Sequence, residues 1–408
     1  MIFRAKDIDT ISLQYPGKIA EEELYSAVGP ADLKVVRAFE ATPPLVDDGW
    51  RNMLIWGDNL RVLRSLLDDE RVRGRVTLVY IDPPFGTGST YRGRRHVSVG
   101  PGDEVAYRDM FLGPQYLEFL RRRLMLLRDL LADDGSIYVH IDVNASHYVK
   151  VIMDEVFGVE SFVNDIARIK CNPKNFGRRA YGNVRDTILF YVRNPDRYVW
   201  NEPREPYTEE DLARLFPKVN GEGRRYTTVP LHAPGETRNG PTGRPWRGMM
   251  PPPGRHWRYP PEELEELDRR GLIEWSASGN PRLKIYADEY VRRGMKMQDV
   301  WLNYKDPAYP EYPTEKNMDM VVKIVEASSR PGDVVLDAFG GSGTTAVASE
   351  TTGRRWIYID ESPVAVRVAL RRLLRLKSYQ PFSLVNATTT TAMEADAEDT
   401  ASYLLEFL

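Results

Sequence analysis

The sequence predicts an α/β protein whose mostly parallel sheet is interrupted by a long irregular insertion. Short apolar runs alternate with amphipathic segments from Arg51 to about Pro195, and the same pattern returns after Pro313. Strands and helices that alternate in this way form parallel sheets covered on both faces. From about Asn201 to Pro313 the chain is instead rich in proline, glycine, arginine and aromatic residues. We therefore predict one sheet built from two separated pieces of chain.

Each predicted strand is a short apolar run, and each predicted helix has apolar residues at helical spacing. In the first piece we predict strands at 52–58, 75–82, 136–142 and 187–194, and helices at 59–69, 115–135 and 146–158. In the second piece we predict helices at 317–333, 343–353 and 362–376, and strands at 334–339 and 354–360. The insertion has one short predicted helix, at 261–271.

The composition indicates a globular protein of the cytoplasm. The 408 residues are 42% hydrophobic and 28% charged, with a net charge of -3. The single cysteine, Cys171, excludes an internal disulfide and a cysteine-based zinc site, and it makes a covalent cysteine mechanism unattractive. No apolar run reaches membrane-spanning length, and the first residues lack the apolar core of a signal peptide. We expect no metal site, because His140, Asp142 and His147 fit a strand end and a helix cap.

The first motif ends the predicted strand at 75–82. Asp82 is followed by Pro83, Pro84 and Phe85. The prolines forbid further sheet pairing, and Pro83 restricts the backbone of Asp82 to extended geometry. A rigid carboxylate beside an aromatic ring at a strand end is either simple turn chemistry or a catalytic group.

The second motif is a glycine-rich turn between a strand and a helix. Gly340, Gly341 and Gly343 allow a tight turn and close approach of a ligand to the backbone. The next strand ends at Asp360, about 20 residues on, where dinucleotide-type folds place the carboxylate that binds ribose hydroxyls. This spacing suits an adenosine ligand, and we prefer the ribose role to a simple helix cap at Asp360.

Asp58 ends the predicted strand at 52–58 and lies at the same edge of the sheet. Its carboxylate suits a hydrogen bond from an adenine amino group, and it suits equally well the N-cap of the next helix. The pattern leaves these two roles open.

Taken in order, the motifs resemble a known family, the circularly permuted, beta-class DNA amino-methyltransferases, with similarity to type III modification subunits. The segments that carry the resemblance are GDNLRVL, YIDPPFGTG, RLMLLRDLLADDGSIYVHID, YPTEKNMDMVVKIVEASSRPGDVVLDAFGGSGTT and GRRWIYIDES, together with GRHWRYPPEELEELDRRGLIEW and MQDVWLNY. The resemblance implies a circularly permuted Rossmann-like methyltransferase sheet with an inserted target-recognition region. We predict an N-terminal extension at 1–50, a catalytic half at 51–195, the insertion at 196–313, a cofactor-binding half at 314–378 and a C-terminal tail at 379–408. The extension and the tail lie outside the resemblance.

The resemblance also implies the cofactor S-adenosylmethionine and a role for each motif residue. The catalytic residues would be Asp82, Pro83, Pro84 and Phe85. The cofactor-binding residues would be Asp58, Asp82, Thr314, Lys316, Asp337, Phe339, Gly341, Gly343, Thr344, Thr345 and Asp360. The commoner family form has tyrosine in place of Phe85, so stacking on a base survives and a phenolic hydrogen bond does not.

The chemistry expected of the first motif is methylation of an exocyclic amine. Asp82 accepts one N–H of the amine and the Pro83 carbonyl accepts the other, which favours a pyramidal nitrogen. Phe85 would stack on a base flipped out of the duplex. We predict methylation at N6 of adenine in double-stranded DNA; the alternative is N4 of cytosine, whose enzymes more often have serine in place of Asp82.

Two basic groups are expected to contact DNA, against the alternative that each is a solvated face. The predicted DNA-binding residues are Arg178, Arg179, Arg185, Arg244, Trp246, Arg247, Arg255 and Trp257. Two further readings stay open: a methyltransferase for RNA or a protein glutamine, and a DNA-binding subunit with a degenerate cofactor site. A homodimer and a restriction subunit are the protein partners that the family implies.

Overall fold

The structure is a computed structural model that describes residues 11–41, 49–84, 90–92, 105–108, 113–173, 177, 179–237, 239–277, 279–313 and 315–387. The described chain divides into two compact units, one formed by the N- and C-terminal parts and the other by residues 202–297. None of the described helices has the length and apolar character needed to cross a membrane.

The N-terminal part contributes eight of the described strands and four of the described helices. The strands are β1 (Lys34–Phe39), β2 (Asn52–Trp56), β3 (Val76–Ile81), β4 (Thr90–Arg92), β5 (Val105–Arg108), β6 (Leu131–Ile141), β7 (Phe162–Ile169) and β8 (Arg185–Val192). The helices are α1 (Glu21–Ala27), α2 (Asn59–Leu66), α3 (Pro114–Leu130) and α4 (Val143–Phe157).

Residues 202–297 form the second unit, which is built mainly from short antiparallel strands. These are β9 (Arg204–Glu205), β10 (Lys218–Val219), β11 (Arg225–Pro230), β12 (His232–Pro234), β13 (Arg255–Trp257), β14 (Ile273–Trp275), β15 (Pro281–Tyr286) and β16 (Met295–Lys296). The helices of this unit are α5 (Glu209–Leu215), α6 (Pro261–Arg269) and α7 (Ala287–Arg293). Its core contains Trp246, Trp257 and Leu264.

The C-terminal part returns to the first unit. Its strands are β17 (Val300–Trp301), β18 (Val334–Asp337), β19 (Arg355–Asp360) and β20 (Phe382–Asn386). Its helices are α8 (Met318–Ser328), α9 (Thr344–Thr351) and α10 (Pro363–Leu374).

One sheet unites the two pieces of the first unit, as the sequence predicts. Within the described chain it has ten strands in the order β1-β20-β2-β19-β18-β3-β6-β8-β7-β17. The strands from β20 to β6 run parallel, whereas β8 is antiparallel to both of its neighbours and β1 is antiparallel to β20. Every residue of β3 and of β18 is buried, as expected for parallel strands with both faces covered. The α/β prediction is confirmed, and β3 and β18 are neighbours although they lie far apart in the chain.

The predicted domain limits need correction at three places. The strand β20 lies within the predicted tail at 379–408, yet it pairs with β2 along its whole length. The strand β1 lies within the predicted extension at 1–50 and pairs with β20. The insertion is shorter than predicted, because residues 196–201 and 298–313 belong to the first unit, and the second of these segments contributes β17 to its sheet. These strands are short or at an edge, so their sequences lack a strong periodic signal.

Candidate active site

A pocket lies where β3 and β18 end, at the edge of the sheet that receives the carboxyl ends of the parallel strands. It is lined by Asn59, Tyr80, Asp82, Pro83, Pro84, Phe119, Arg123, Tyr312, Lys316, Asp337, Ala338, Phe339, Gly340, Gly341, Ser342, Thr344, Thr345, Asp360 and Glu361. The structure thus brings the two sequence motifs to one cavity. The Asp82 end of β3 forms one wall, and the glycine turn after β18 forms another.

Asp82 has one oxygen engaged and one available. Its Oδ2 lies 2.5 Å from Nζ of the buried Lys316. Its Oδ1 is buried and has no hydrogen-bond partner among the described residues. A buried carboxylate oxygen without a hydrogen bond is unfavourable, so this oxygen is suited to accept a hydrogen bond from a ligand.

The prolines after Asp82 are fixed by a neighbouring helix. The carbonyl of Pro84 accepts a hydrogen bond of 2.6 Å from the hydroxyl of Tyr116, a buried residue in the first turn of α3. Pro83 is itself buried. This contact anchors the chain where it leaves β3, so the position of Asp82 is set by α3 as well as by the prolines. Phe85, the predicted stacking residue, lies outside the described residues.

The glycine turn needs its glycines at defined positions. Gly341 and Gly343 have φ of +49° and +77°, in the left-handed region that favours glycine. The hydroxyl of Tyr358 donates to the Gly341 carbonyl at 2.8 Å, and a Cβ on Gly340 would lie 2.1 Å from the same ring. A Cβ on Gly343 would lie 2.6 Å from that of Ala369, so this glycine also permits close packing against α10.

Asp337 ends β18 and is held by two short-range donors. Its Oδ1 accepts from the backbone N–H of Phe339 at 2.9 Å, and its Oδ2 accepts from the Thr345 hydroxyl at 2.6 Å. Burial raises the pKa of Asp337 to about 7, the charges of Asp82 and Asp360 act in the same direction, and the two hydrogen bonds oppose the shift. Thr344 has its hydroxyl 2.9 Å from that of Ser342 instead.

Asp360 connects the glycine turn to β19. Its Oδ2 accepts from the backbone N–H of Gly341 and its Oδ1 from that of Ser362, both at 2.8 Å. Burial raises the pKa of Asp360 to about 6. Each carboxylate oxygen can accept more than one hydrogen bond, so these contacts leave capacity for a ligand hydroxyl. Glu361, the next residue, also lines the pocket.

Asp58 caps the N-terminus of α2, which is one of the two roles that the sequence leaves open for it. Its Oδ1 accepts from the backbone N–H of Leu60 at the start of α2 and lies 3.2 Å from Nη2 of Arg123. Its neighbour Asn59 lines the pocket in its place. The amide of Asn59 donates to the Ala338 carbonyl at 2.6 Å, which joins α2 to the end of β18.

Sequence reasoning missed several residues of the pocket wall. They are Asn59, Tyr80, Phe119, Arg123, Tyr312 and Glu361. The guanidinium of Arg123 lies 3.6 Å from the ring centroid of Phe119, and burial lowers its pKa to about 10. Phe119 and Arg123 are four residues apart on α3 and so share one helix face. That spacing is visible in the sequence, but only the fold shows that this face borders the pocket.

A chain of buried polar groups continues from the pocket into the protein. The Tyr80 hydroxyl lies 2.8 Å from Nδ1 of His140, whose Nε2 lies 3.1 Å from Oδ2 of Asp186. The same oxygen lies 3.0 Å from Nη1 of the fully buried Arg168. Burial acts to raise the pKa of Asp186, but the charges of His140 and Arg168 hold it below its usual range. Arg168 also donates to the Tyr304 carbonyl at 2.8 Å, so the chain reaches the segment that leads to Lys316.

The predicted DNA-binding residues have different environments in the structure. Arg179 and Arg185 are exposed residues of the first unit, whereas Arg178 and the predicted cofactor residue Thr314 lie outside the described residues. In the second unit Arg255 is exposed, and Arg244 and Arg247 form ion pairs with Glu262 and Glu265.

The prediction that Trp246 and Trp257 stack on nucleic acid needs correction. Each is 3% exposed and belongs to the core of the second unit. Their indole nitrogens donate to the Glu265 carboxylate and the Arg244 carbonyl, at 3.1 and 3.0 Å. Aromatic residues beside arginines are typical of a binding surface, but these two rings form part of the hydrophobic core of the second unit.

Comparisons with known proteins agree with this geometry. The family model described as DNA methylase matches residues 76–371. The type II methyltransferase M.EcaI of Enterobacter cloacae is 40% identical over 367 residues, covering 89% of this chain and 77% of that protein. The EcoP15I Mod subunit of a type III restriction-modification enzyme of Escherichia coli is 24% identical, covering 72% of this chain.

Two further similarities are weaker. The DNA adenine methyltransferase YhdJ of Escherichia coli K12 is 23% identical, covering 78% of this chain and 82% of that protein. A crystal structure of the M1.HpyAVI–SAM complex has a TM-score of 0.42 and 16% identity, covering 79% of this chain and all of that one. The chain spans only 55% of the length of the EcoP15I Mod subunit.

Proposed function

Because this chain belongs to the DNA methylase family, we propose that it transfers a methyl group from S-adenosylmethionine to the N6 amine of adenine in double-stranded DNA. The observation that supports this most directly is the buried Oδ1 of Asp82, which lacks a partner among the described residues and belongs to the pocket that contains the glycine turn. A single acceptor held at this place suits an amine donor.

The pocket residues fit S-adenosylmethionine at three points. Gly341, Asp337 and Asp360 all line the pocket. Gly341 has no side chain to keep a ligand away from the turn, Asp360 would accept from ribose hydroxyls, and Asp337 would face the methionine end of the cofactor. The aromatic rings of Phe339 and Phe119, with centroids 6.0 Å apart, offer an apolar wall for an adenine. When bound, this cofactor supplies a methyl group on a positively charged sulfur.

The residues of the chain would orient and activate the amine. An exocyclic amine is a weak nucleophile because its lone pair is delocalised into the base. Asp82 Oδ1 and the Pro83 carbonyl would accept its two N–H groups out of the ring plane, and Lys316 fixes the carboxylate in that orientation. Positioning of two bound reactants accounts for a large part of the acceleration in such transfers.

We propose adenine as the target base. One support is Asp82, because the cytosine-specific enzymes of the family more often have serine at this position. The other is the similarity to a protein named as a DNA adenine methyltransferase. A restriction subunit as a partner is a further proposal, suggested by similarity to a type III Mod subunit. A homodimer is likewise proposed from the family resemblance alone.

Expression in a cell that lacks adenine methylation tests the proposal. Single-molecule sequencing of a resident plasmid is expected to show N6-methyladenine in one short sequence context and none with Asp82→Ala. The matched control is Asp129→Ala, which removes a carboxylate from the far part of α3. Modified cytosine alone, or unchanged methylation in Asp82→Ala, would refute the proposal.

A further inference from the structure

We infer that the first unit has its own DNA-contact surface beside the pocket, in which Tyr181 and Tyr309 stack on bases next to the flipped nucleotide. We call it the tyrosine surface, and it consists of Tyr181, Tyr309, Arg179, Arg185 and Lys305. The inference rests on the proposed function and adds residues that the motifs do not indicate.

The register of the sheet places this surface at the edge where the pocket opens. Ile81, the last residue of β3, pairs with Val139 of β6, and Ile141 of β6 pairs with Thr187 of β8. The first residue of β8, Arg185, therefore lies at the edge where Asp82 follows β3. Residues 179–184, which include Tyr181, lead directly into β8 at this edge.

A second segment reaches the same edge from β17. Because β17 runs parallel to β7, with Trp301 opposite Arg168, the chain leaves it at the edge of the pocket. It then passes through Lys305 and Tyr309 to Tyr312 and Lys316, both of which line the pocket.

Direct contacts join the two segments. The Lys305 ammonium donates to the Asn172 side chain at 2.7 Å, and the Asp306 N–H donates to the Lys170 carbonyl at 3.0 Å. The Lys305 carbonyl accepts from the side chain of Asn317, the residue after Lys316, at 2.9 Å. Both segments are thus held next to the wall that carries the Asp82–Lys316 pair.

The two tyrosines at this edge are almost completely exposed. Tyr181 has a relative exposure of 99% and Tyr309 of 92%, the largest values among the exposed large hydrophobic residues of the described chain. An isolated exposed apolar residue is ordinary, but two exposed rings on adjoining segments beside one pocket form a binding feature. Tyrosine supplies a stacking face at a small entropic cost, because its ring has few rotatable bonds.

The charges around these rings favour a polyanion. Arg179, Arg185 and Lys305 are exposed and form no ion pair with a described residue. Four acids of the neighbouring segments form ion pairs with cations of the protein: Asp186 and Asp306 with Arg168, Glu311 with Arg375 and Glu315 with Arg372. Cations that pair with no described acid, on the same segments as exposed rings, suit phosphates and unstacked bases, which a duplex presents where one nucleotide is flipped out.

Equilibrium binding to a duplex oligonucleotide tests the tyrosine surface. The oligonucleotide carries the sequence found methylated in cells, and S-adenosylhomocysteine is present. Because a stacked base contributes to binding, each of Tyr181→Ala and Tyr309→Ala is expected to raise Kd by about 10-fold, which corresponds to about 1.4 kcal/mol, with partial recovery in the Phe variants. Cofactor affinity should not change. The double variant Arg179→Gln/Lys305→Gln should lower the slope of log Kd against log salt by about 2.

The matched control is Trp200→Ala. Trp200 is a half-exposed aromatic residue, and the neighbouring Val199 N–H donates to the backbone carbonyl of Asp134 at the opposite edge of the sheet. Its Kd for DNA should stay within about twofold of the wild-type value. If the wild-type protein methylates DNA, but the tyrosine variants bind DNA as tightly as Trp200→Ala does, the tyrosine surface is refuted and the proposed function is not. A wild-type chain that methylates no DNA would overturn the proposed function, and with it this inference.

Discussion

The contact between Gly340 and Tyr358 gives a sharp test of the glycine turn. A methyl group on Gly340 would lie 2.1 and 2.2 Å from two ring carbons of Tyr358, a fully buried residue of β19. Non-bonded carbons normally lie about 3.5–4.0 Å apart, so the ring or the turn has to move by more than about 1 Å. Overpacking of this kind costs about 1–3 kcal/mol, and we expect Gly340→Ala to lower the free energy of unfolding by about 2–3 kcal/mol.

The cause of this loss can be isolated with a double-mutant cycle. Tyr358→Val removes the clashing ring and keeps a residue suited to a strand. In that background Gly340→Ala should cost less than about 1 kcal/mol, which gives a coupling energy of about 1–3 kcal/mol. The turn should also shift in Gly340→Ala alone, because the Tyr358 hydroxyl donates to the Gly341 carbonyl, so affinity for S-adenosylmethionine should fall.

Chemical denaturation measures the stability terms, and calorimetric titration measures cofactor affinity. The control is Gly29→Ala, an exposed glycine whose added Cβ would meet no atom within 4 Å. It should change stability by no more than about 0.5 kcal/mol. Equal costs of Gly340→Ala with and without the Tyr358 ring would refute the reasoning.

Three more predictions concern charged groups. Lys316→Met should reduce the methylation rate by about 100-fold, because Asp82 loses the ammonium group that lies 2.5 Å from its Oδ2. The control Lys323→Met, on α8, should retain activity. Equal methylation rates of the two variants would contradict the role assigned to Lys316. Burial raises the pKa of Asp337 from 3.8 to about 7, so the folded state binds this proton more tightly than the unfolded state, and stability should fall as pH rises over that interval. Asp337→Asn should reduce the dependence of the free energy of unfolding on pH, measured by chemical denaturation. If the wild type and the variant show the same pH dependence, this carboxyl is not its source. Arg168→Leu should lower the free energy of unfolding by about 3–5 kcal/mol, because buried Asp186 loses its arginine partner, and by less in an Asp186→Asn background. A cost as small as that of Arg193→Leu, at the exposed residue after β8, would argue against the buried chain of polar groups.

The strongly patterned parts of the fold could be predicted from the sequence. The apolar runs at β3, β18 and β19 and the amphipathic helices α3 and α8 are unambiguous, and the carboxyl ends of parallel strands fix where a ligand binds. The sequence alone therefore predicts that Asp82, Asp337 and Asp360 lie at one edge of the sheet.

The other features depend on tertiary contacts that local patterns do not encode. The strand β20 follows a short polar connection and is recognisable only by its pairing with β2. Trp246 and Trp257 are flanked by arginines, as surface rings are, yet the small second unit uses them as its core. Asp58 and Asn59 are adjacent and both suit a helix start. Only the three-dimensional structure shows that Asp58 caps α2 and that Asn59 lines the pocket.

Methyl transfer in vitro tests the central claim most directly. Wild-type protein and Asp82→Ala are incubated with duplex DNA and S-adenosylmethionine labelled in its methyl group, and the DNA is then digested to nucleosides. The account predicts label in N6-methyldeoxyadenosine for the wild type and none for Asp82→Ala. Label in cytosine alone, or equal incorporation by the two proteins, would contradict it.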